Sequence, residues 1–281
     1  MLNPLSFLKH PVLLSLYFIA TSAHAQTYSS AASDSLGGAG RASVEASDVN
    51  YLNPAALVHI KGRNIYSTLN VKDLSVGLSE ASDQVVIPAS ISYFQKKFDE
   101  TPTLDVQVQE FRLSVADFVV QRFSMGLTGN MNTTKINGSN YNQTNGTLGF
   151  FFTPTETMGI GAVFYNVFEP KDNVPLAYRL RSQMGFGFHK IYKEFIKLRA
   201  DILTAPDNSF GRSKYMAGFE TLLNEWCSFR LGYQNDILAS QELLTAGVGF
   251  AGPRFTLNYG HQGNLKGPDF DRHAIDFIIS F

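Results

Sequence analysis

From about residue 62 to the C-terminus, apolar and polar residues alternate with period two. That spacing predicts strands rather than helices. The last segment shows it most clearly. His273, Ile275, Phe277, Ile279 and Phe281 share one face, and Arg272, Ala274, Asp276, Ile278 and Ser280 share the other. The segment before it alternates Phe255, Leu257, Tyr259 and His261 with Arg254, Thr256, Asn258 and Gly260. Residues 227–234 and 196–203 repeat the pattern, with Arg230, Lys197, Arg199 and Asp201 on the polar face. A Lys or Arg facing the middle of a bilayer costs ~2–4 kcal/mol, so these charges face an interior or bulk water.

The breaks between strands decide between a membrane barrel and a soluble sandwich. Short breaks fall at 153–156, 192–195, 223–226 and 252–253, and longer polar ones at 135–141, 169–178, 205–213 and 263–271. Alternating short and long connections is how a transmembrane barrel with short periplasmic turns and longer outer loops is built. The expected architecture is an all-β, antiparallel transmembrane barrel. It has fourteen strands if 64–71 and 74–79 form two, with twelve as the fallback. Around Gln107, Gln109, Phe111, Leu113 and Val115 the alternation loses phase, which predicts a bulge. The outer loops are expected to be short, and the Asn-x-Ser/Thr sites at Asn132, Asn137, Asn142 and Asn145 to lie in or beside one.

Composition agrees with a barrel. Phe (23), Tyr (12) and Gly (23) are abundant, and charged residues are 17%, against about 25% in soluble domains. A net charge of -1 gives no footprint for nucleic acid. The single cysteine, Cys227, excludes an internal disulfide. Phe186, Phe188, Phe229, Tyr233, Phe250 and Tyr259 fall on the apolar faces and suit lipid-facing aromatic girdles.

Two segments precede the strands. Lys9 and His10, an apolar run over 12–20, and Ala23-His24-Ala25 read as a cleavable export signal over 1–25, with an N-terminal anchor as the alternative. Residues 26–61 are rich in Ser, Ala and Gly. Asn53 is placed to cap a short helix with Pro54 at its first position. The small residues suit tight packing in a narrow lumen, so 26–61 reads as an inward-folded segment, with a disordered leader as the alternative. The barrel proper is 62–281.

Residues 36–42 (Leu-Gly-Gly-Ala-Gly-Arg-Ala), Asp48 and Asn53-Pro54-Ala55 resemble the opening of the OmpP1/FadL/TodX superfamily, whose look the PorV and PorQ proteins of type IX secretion share. The resemblance implies a fourteen-stranded outer-membrane barrel with a luminal hatch carried by Gly37, Gly38, Gly40, Asp48, Asn53, Pro54 and Ala55. It also implies passive transport of hydrophobic or amphipathic small molecules or, in the PorV/PorQ branch, docking of secreted proteins. Ala56 departs from the usual Asn-Pro-Ala-Gly, and the chain is shorter than a typical transporter. A sealed structural barrel is the third expectation.

Inward positions are expected to carry Arg179, Arg181, Arg199, Arg230, Arg254 and Arg272 against Asp201, Glu220, Asp236 and Asp276. They would form an ion-pair lattice or a basic path for anions. Phe277 and Phe281 are expected to serve as the signal read by the barrel assembly machinery, with outer-membrane lipid as the other partner. Residues 259–264 resemble the His-Gln-Ser-Asn stretch of outer-membrane phospholipase A, but Gly263 stands where the nucleophile would be. No enzyme activity and no cofactor are expected. The spacing of His59, His189, His261 and His273 suggests no metal set.

Overall fold

The computed structural model describes residues 28–101, 104–169, 173–206, 213–267 and 269–281, so the export signal and its cleavage site lie outside the described residues. Among these, fourteen strands form one closed antiparallel barrel. The first seven are β1 (Gly62–Asn70), β2 (Asp73–Ala81), β3 (Ala89–Thr101), β4 (Leu104–Val120), β5 (Phe123–Ile136), β6 (Ser139–Thr155) and β7 (Met158–Tyr165). The others are β8 (Gln183–Tyr192), β9 (Ile196–Thr204), β10 (Lys214–Leu222), β11 (Cys227–Asp236), β12 (Gln241–Ala251), β13 (Phe255–Lys266) and β14 (Asp271–Ser280). Each strand pairs with its sequence neighbours, and β1 meets β14 from Asn64↔Ser280 to Asn70↔Ala274. Closure gives every strand a neighbour on both sides. Phe281 extends the seam, its amide donating to the Arg63 carbonyl at 3.0 Å.

Period two puts one set of side chains outside and the other inside. Ile65, Leu69, Leu113, Leu127, Phe186, Leu231, Val248, Ile275 and Phe277 are all exposed on the outer face. An apolar band running round a whole barrel would drive aggregation in water and suits lipid. The fold is therefore that of an outer-membrane barrel.

Three expectations are corrected. β4 alternates without interruption from Val106 to Asp117, so there is no bulge at 107–115. The lost phase is only chemical: Val106 and Val108 point inward, while Gln107 and Gln109 point out. Residues 135–141 are not a loop either. β5 and β6 pair up to Ile136↔Ser139, leaving a turn of Asn137 and Gly138, both at positive φ. Polar residues on both faces imitate a loop there, yet Asn132, Asn142 and Asn145 stand on strands. Finally, long connections are few. At the end of the barrel away from Phe281 they are residues 166–182 and 205–213, the first longer than expected.

The hydrophobic core lies inside the barrel, and residues before β1 build it. Tyr28 and Tyr51 pack with Phe94, and Val49 and Leu57 with Ala116. Ala39 sits with Val163, Tyr165, Leu203 and Met216. Ala42, Ala55 and Ala56 surround Phe151, and Ala46 meets Tyr66 and Ile278. Every cluster draws on residues 28–57.

Candidate functional site: the occupied lumen

The segment over 28–60 is made of short turns because its sequence offers little else. Ser30 caps a single helical turn, Ala31–Asp34, through a capping box with Ser33. Gly37 and Gly38 follow at φ +68 and +82, which reverses the chain. Asn53 caps a 3-10 helix, Pro54–His59, accepting from the Ala55 amide at 3.1 Å, with Pro54 at its start.

Each turn is fastened to inward-facing strand residues. Asp276 on β14 accepts from the Ala31 amide at 2.9 Å, the Ala32 amide at 3.0 Å and the Thr68 hydroxyl at 2.7 Å. A carboxylate at the exposed amides of a helical turn satisfies donors that the turn cannot satisfy itself. Arg272 spans from the segment to the wall, donating to Asp34 at 2.6 Å and to Asp73 at 2.7 Å. Asp201 on β9 receives three bonds on one oxygen, Oδ2. They come from the Gly40 amide at 2.9 Å, the Arg41 amide at 2.8 Å and Arg41 Nη1 at 3.0 Å. The Arg41–Asp201 pair is fully enclosed, with side chains 1% and 0% exposed.

Further along, Asn53 Nδ2 donates to the carbonyls of Arg41 at 2.8 Å and Phe150 at 3.0 Å. Tyr165 donates to the Leu52 carbonyl at 2.5 Å, and Ser124 to that of Ala55 at 2.8 Å. Arg112 donates to the Asn50 carbonyl at 2.9 Å and lies over the Tyr51 ring.

Between these bonds the backbone of the segment rests directly on the wall, because the wall has no side chains there. Inward-facing Gly126, Gly161, Gly232 and Gly260 are spots where an added Cβ would come within 3 Å of backbone atoms of Ala55, Arg41, Gly37 and Ala31. Glycine is the only residue that permits so close an approach. Sequence reading missed this row, since an inward glycine looks like any strand glycine.

Asp48 belongs to the segment alone. It accepts from the Ser30 amide at 3.2 Å, the Ser30 hydroxyl at 2.6 Å and the Ser33 hydroxyl at 3.1 Å. Burial, reinforced by nearby Asp276, pushes its carboxyl up to about 7 despite those bonds.

The expected luminal charges divide into two groups. Arg199, Asp201, Glu220, Arg230, Asp236, Arg272 and Asp276 are buried on inward positions. Glu220 is the hub of a cluster, bonded by Lys197 at 2.9 Å, Arg199 at 3.2 Å and Arg230 at 3.1 Å. Asp236 pairs with Lys214 at 3.1 Å. Arg179, Arg181 and Arg254 do not stand on strands. Arg179 and Arg181 lie in the 166–182 connection, where strand parity has no meaning, and Arg179 donates to the Val174 carbonyl at 2.8 Å. Arg254 is exposed in the turn before β13. The histidines are corrected too: His261 and His273 are direct cross-strand partners, with ring centroids 4.6 Å apart.

Beside the lumen, the wall itself is uneven. β6 pairs with β7 only from Thr147 onward, so its residues 139–146 stand above the end of β7. At that step a recess of about 410 Å³ opens, lined by Leu148, Phe150, Phe164, Tyr165, Val167 and Met184 among others. Tyr165, which holds Leu52, forms its inner edge.

These features define a class: a closed, fourteen-stranded antiparallel barrel with an apolar outer face and a polar, ion-paired inner one. Within that class the fold is the FadL/TodX fold. The chain superimposes on CymD, described as a monoaromatic hydrocarbon channel, with TM-score 0.72 and 13% identity over 91% of this chain and 98% of that one. For the Pseudomonas putida toluene transporter TodX the TM-score is 0.70 and the identity 10%, over 92% and 99%. For a Pseudomonas aeruginosa FadL homologue they are 0.64 and 10%, over 90% and 98%. No family model matches the chain. No curated protein matches it.

Proposed function

We propose that the chain is a FadL-like barrel in the bacterial outer membrane that passively transports hydrophobic or amphipathic small molecules, with residues 28–61 as a displaceable hatch. The observation that carries this reading is the apolar recess at the β6–β8 step, whose inner edge, Tyr165, is hydrogen-bonded to Leu52. A ligand entering there meets apolar side chains first and the hatch next. The channels and transporter of the same fold named above lend support, one titled for toluene and one for monoaromatic hydrocarbons. With Gly62 and Phe281 on the periplasmic side, the recess and the 166–182 connection face outward. The experiment is accumulation of radiolabelled toluene and of a medium-chain fatty acid by cells with and without the gene. Faster uptake with the gene, reduced by Met184→Trp in the recess, is expected. Equal uptake of both probes overturns the reading.

The dense fastening of the segment favours a second reading, a sealed structural barrel. In that case neither the wild type nor a variant with a loosened hatch conducts ions in planar bilayers. Conductance by the loosened variant excludes it.

A further inference from the structure

On the outer face, at the end of β13 and β14 away from Phe281, three side chains converge that the transport reading does not use. His261 and His273 stand opposite each other across the two strands. Asp271, at the first position of β14, lies between them. Its Oδ1 is 3.4 Å from His261 Nδ1 and 3.3 Å from His273 Nε2. The candidate donor atoms of all three lie within 4.8 Å of one another. We propose that this trio is a divalent transition-metal site of the zinc class, with three protein ligands and one open position.

The donor set selects the metal class. Two imidazoles and a carboxylate suit zinc, cobalt, nickel or copper, whereas calcium and magnesium require oxygen donors. The spacing agrees as well. Ligands about 2.0–2.1 Å from a tetrahedral ion are separated by about 3.3–3.4 Å, and Asp271 Oδ1 already stands at 3.4 and 3.3 Å from the two nitrogens. The remaining edge, between the two imidazole nitrogens, is no longer than 4.8 Å, and rotation of the two stacked rings on their fixed strands would close it.

Two further observations point to a ligand. His261 Nδ1 is shielded from solvent and makes no hydrogen bond. The other nitrogen of His273, Nδ1, is engaged by the Tyr259 hydroxyl at 2.7 Å, which leaves Nε2 turned to Asp271. An outer partner on the second nitrogen is how metal-bound imidazoles are commonly oriented. Gly263, opposite Asp271 in the register, supplies the room. A Cβ there would lie 3.3 Å from His261 Nε2 and crowd the ring.

The test uses the full mature chain, purified in detergent without a histidine tag and stripped with a chelator. Isothermal titration with zinc chloride is expected to show one equivalent bound, with no heat from magnesium or calcium at the same concentration. Cobalt is expected to give the visible absorption of a tetrahedral nitrogen and oxygen site. His261→Ala, His273→Ala and Asp271→Asn should each weaken zinc binding at least tenfold. These are outward-facing rim positions, and heat-modifiable gel migration verifies that each variant is a closed barrel. Tyr259→Phe, which keeps all three ligands, should weaken binding less than any of them. Absence of a stoichiometric zinc or cobalt signal from the folded wild type overturns the proposal. So does zinc binding that survives unchanged in His273→Ala.

Discussion

Replacing Asp201 with alanine should free the hatch while leaving the barrel closed. One carboxylate oxygen serves two backbone amides and one guanidinium nitrogen, all enclosed. Breaking the buried Arg41–Asp201 pair costs about 3–5 kcal/mol by analogy with other broken buried pairs, an upper range because Arg41 keeps its contact with the Tyr165 ring. Each amide loses a bond to a charged acceptor, worth about 1.5–3 kcal/mol. The three bonds share one oxygen, so the terms overlap, and about 4 kcal/mol is a sober total. At 1.4 kcal/mol per factor of ten, the undocked population rises about 1,000-fold. None of these groups takes part in the strand ladder, so the barrel itself keeps its backbone bonds. Hydrogen–deuterium exchange of residues 36–45, read by mass spectrometry on the detergent-solubilised protein, measures the change directly. Exchange there should accelerate by orders of magnitude while β9 and β10 stay protected. Asp201→Asn keeps an acceptor and should fall between wild type and alanine. Unchanged exchange in a folded Asp201→Ala barrel would refute the argument that this oxygen fastens the hatch.

Other outcomes follow from the same geometry. The Asp48 carboxyl, normally near 3.8 but raised to about 7 when docked, holds its proton more tightly in the docked state. Docking is thus strongest below about 4 and weakens as pH rises through about 7, so protease protection of residues 28–48 should be greater at pH 5 than at pH 8. Asp48→Asn should reduce that dependence, and the part that remains belongs to buried Asp34, whose carboxyl burial also pushes up. Gly161→Val places a side chain where the Arg41 backbone lies, so it should raise hatch exchange while heat-modifiable migration still reports a closed barrel. Arg272→Met removes the bonds to Asp34 and Asp73 and leaves two buried carboxylates without their shared arginine. It should lower the thermal unfolding midpoint measurably by circular dichroism, and an unchanged midpoint would show the pairs to be dispensable. Deleting Phe281 should slow insertion by the assembly machinery, seen as unfolded chain in pulse-chase gels, without changing the fold of molecules that do insert.

Much of this fold is legible in the sequence because each strand separates lipid from lumen. His273 to Phe281 carries that separation residue by residue, and so Arg272 and Asp276 could be placed inside before any register was known. The pattern loses its meaning where that separation ends. Toward the Asn137–Gly138 turn, β5 and β6 have polar residues on both faces, and Asn132 to Asn145 imitate a loop. Parity also continues through a loop on paper but not in space, which misplaced Arg179, Arg181 and Arg254. Contacts that depend on register were invisible. His261 and His273 are close only because β13 and β14 are aligned as they are. The glycine row was hidden for a different reason. Glycine carries no hydropathic sign, so Gly161 or Gly260 at an inward position says nothing until the opposing backbone is known.

That row has a consequence for biogenesis. Where two backbones touch through glycines, no clearance remains for a chain to be threaded in later. The segment also runs into β1, the strand that forms the seam with β14. Assembly in which residues 28–60 are laid down before the β1–β14 seam forms would avoid that threading. In that order of events the stretch would serve as a mandrel during construction, with the glycine row as the track on which its backbone is laid.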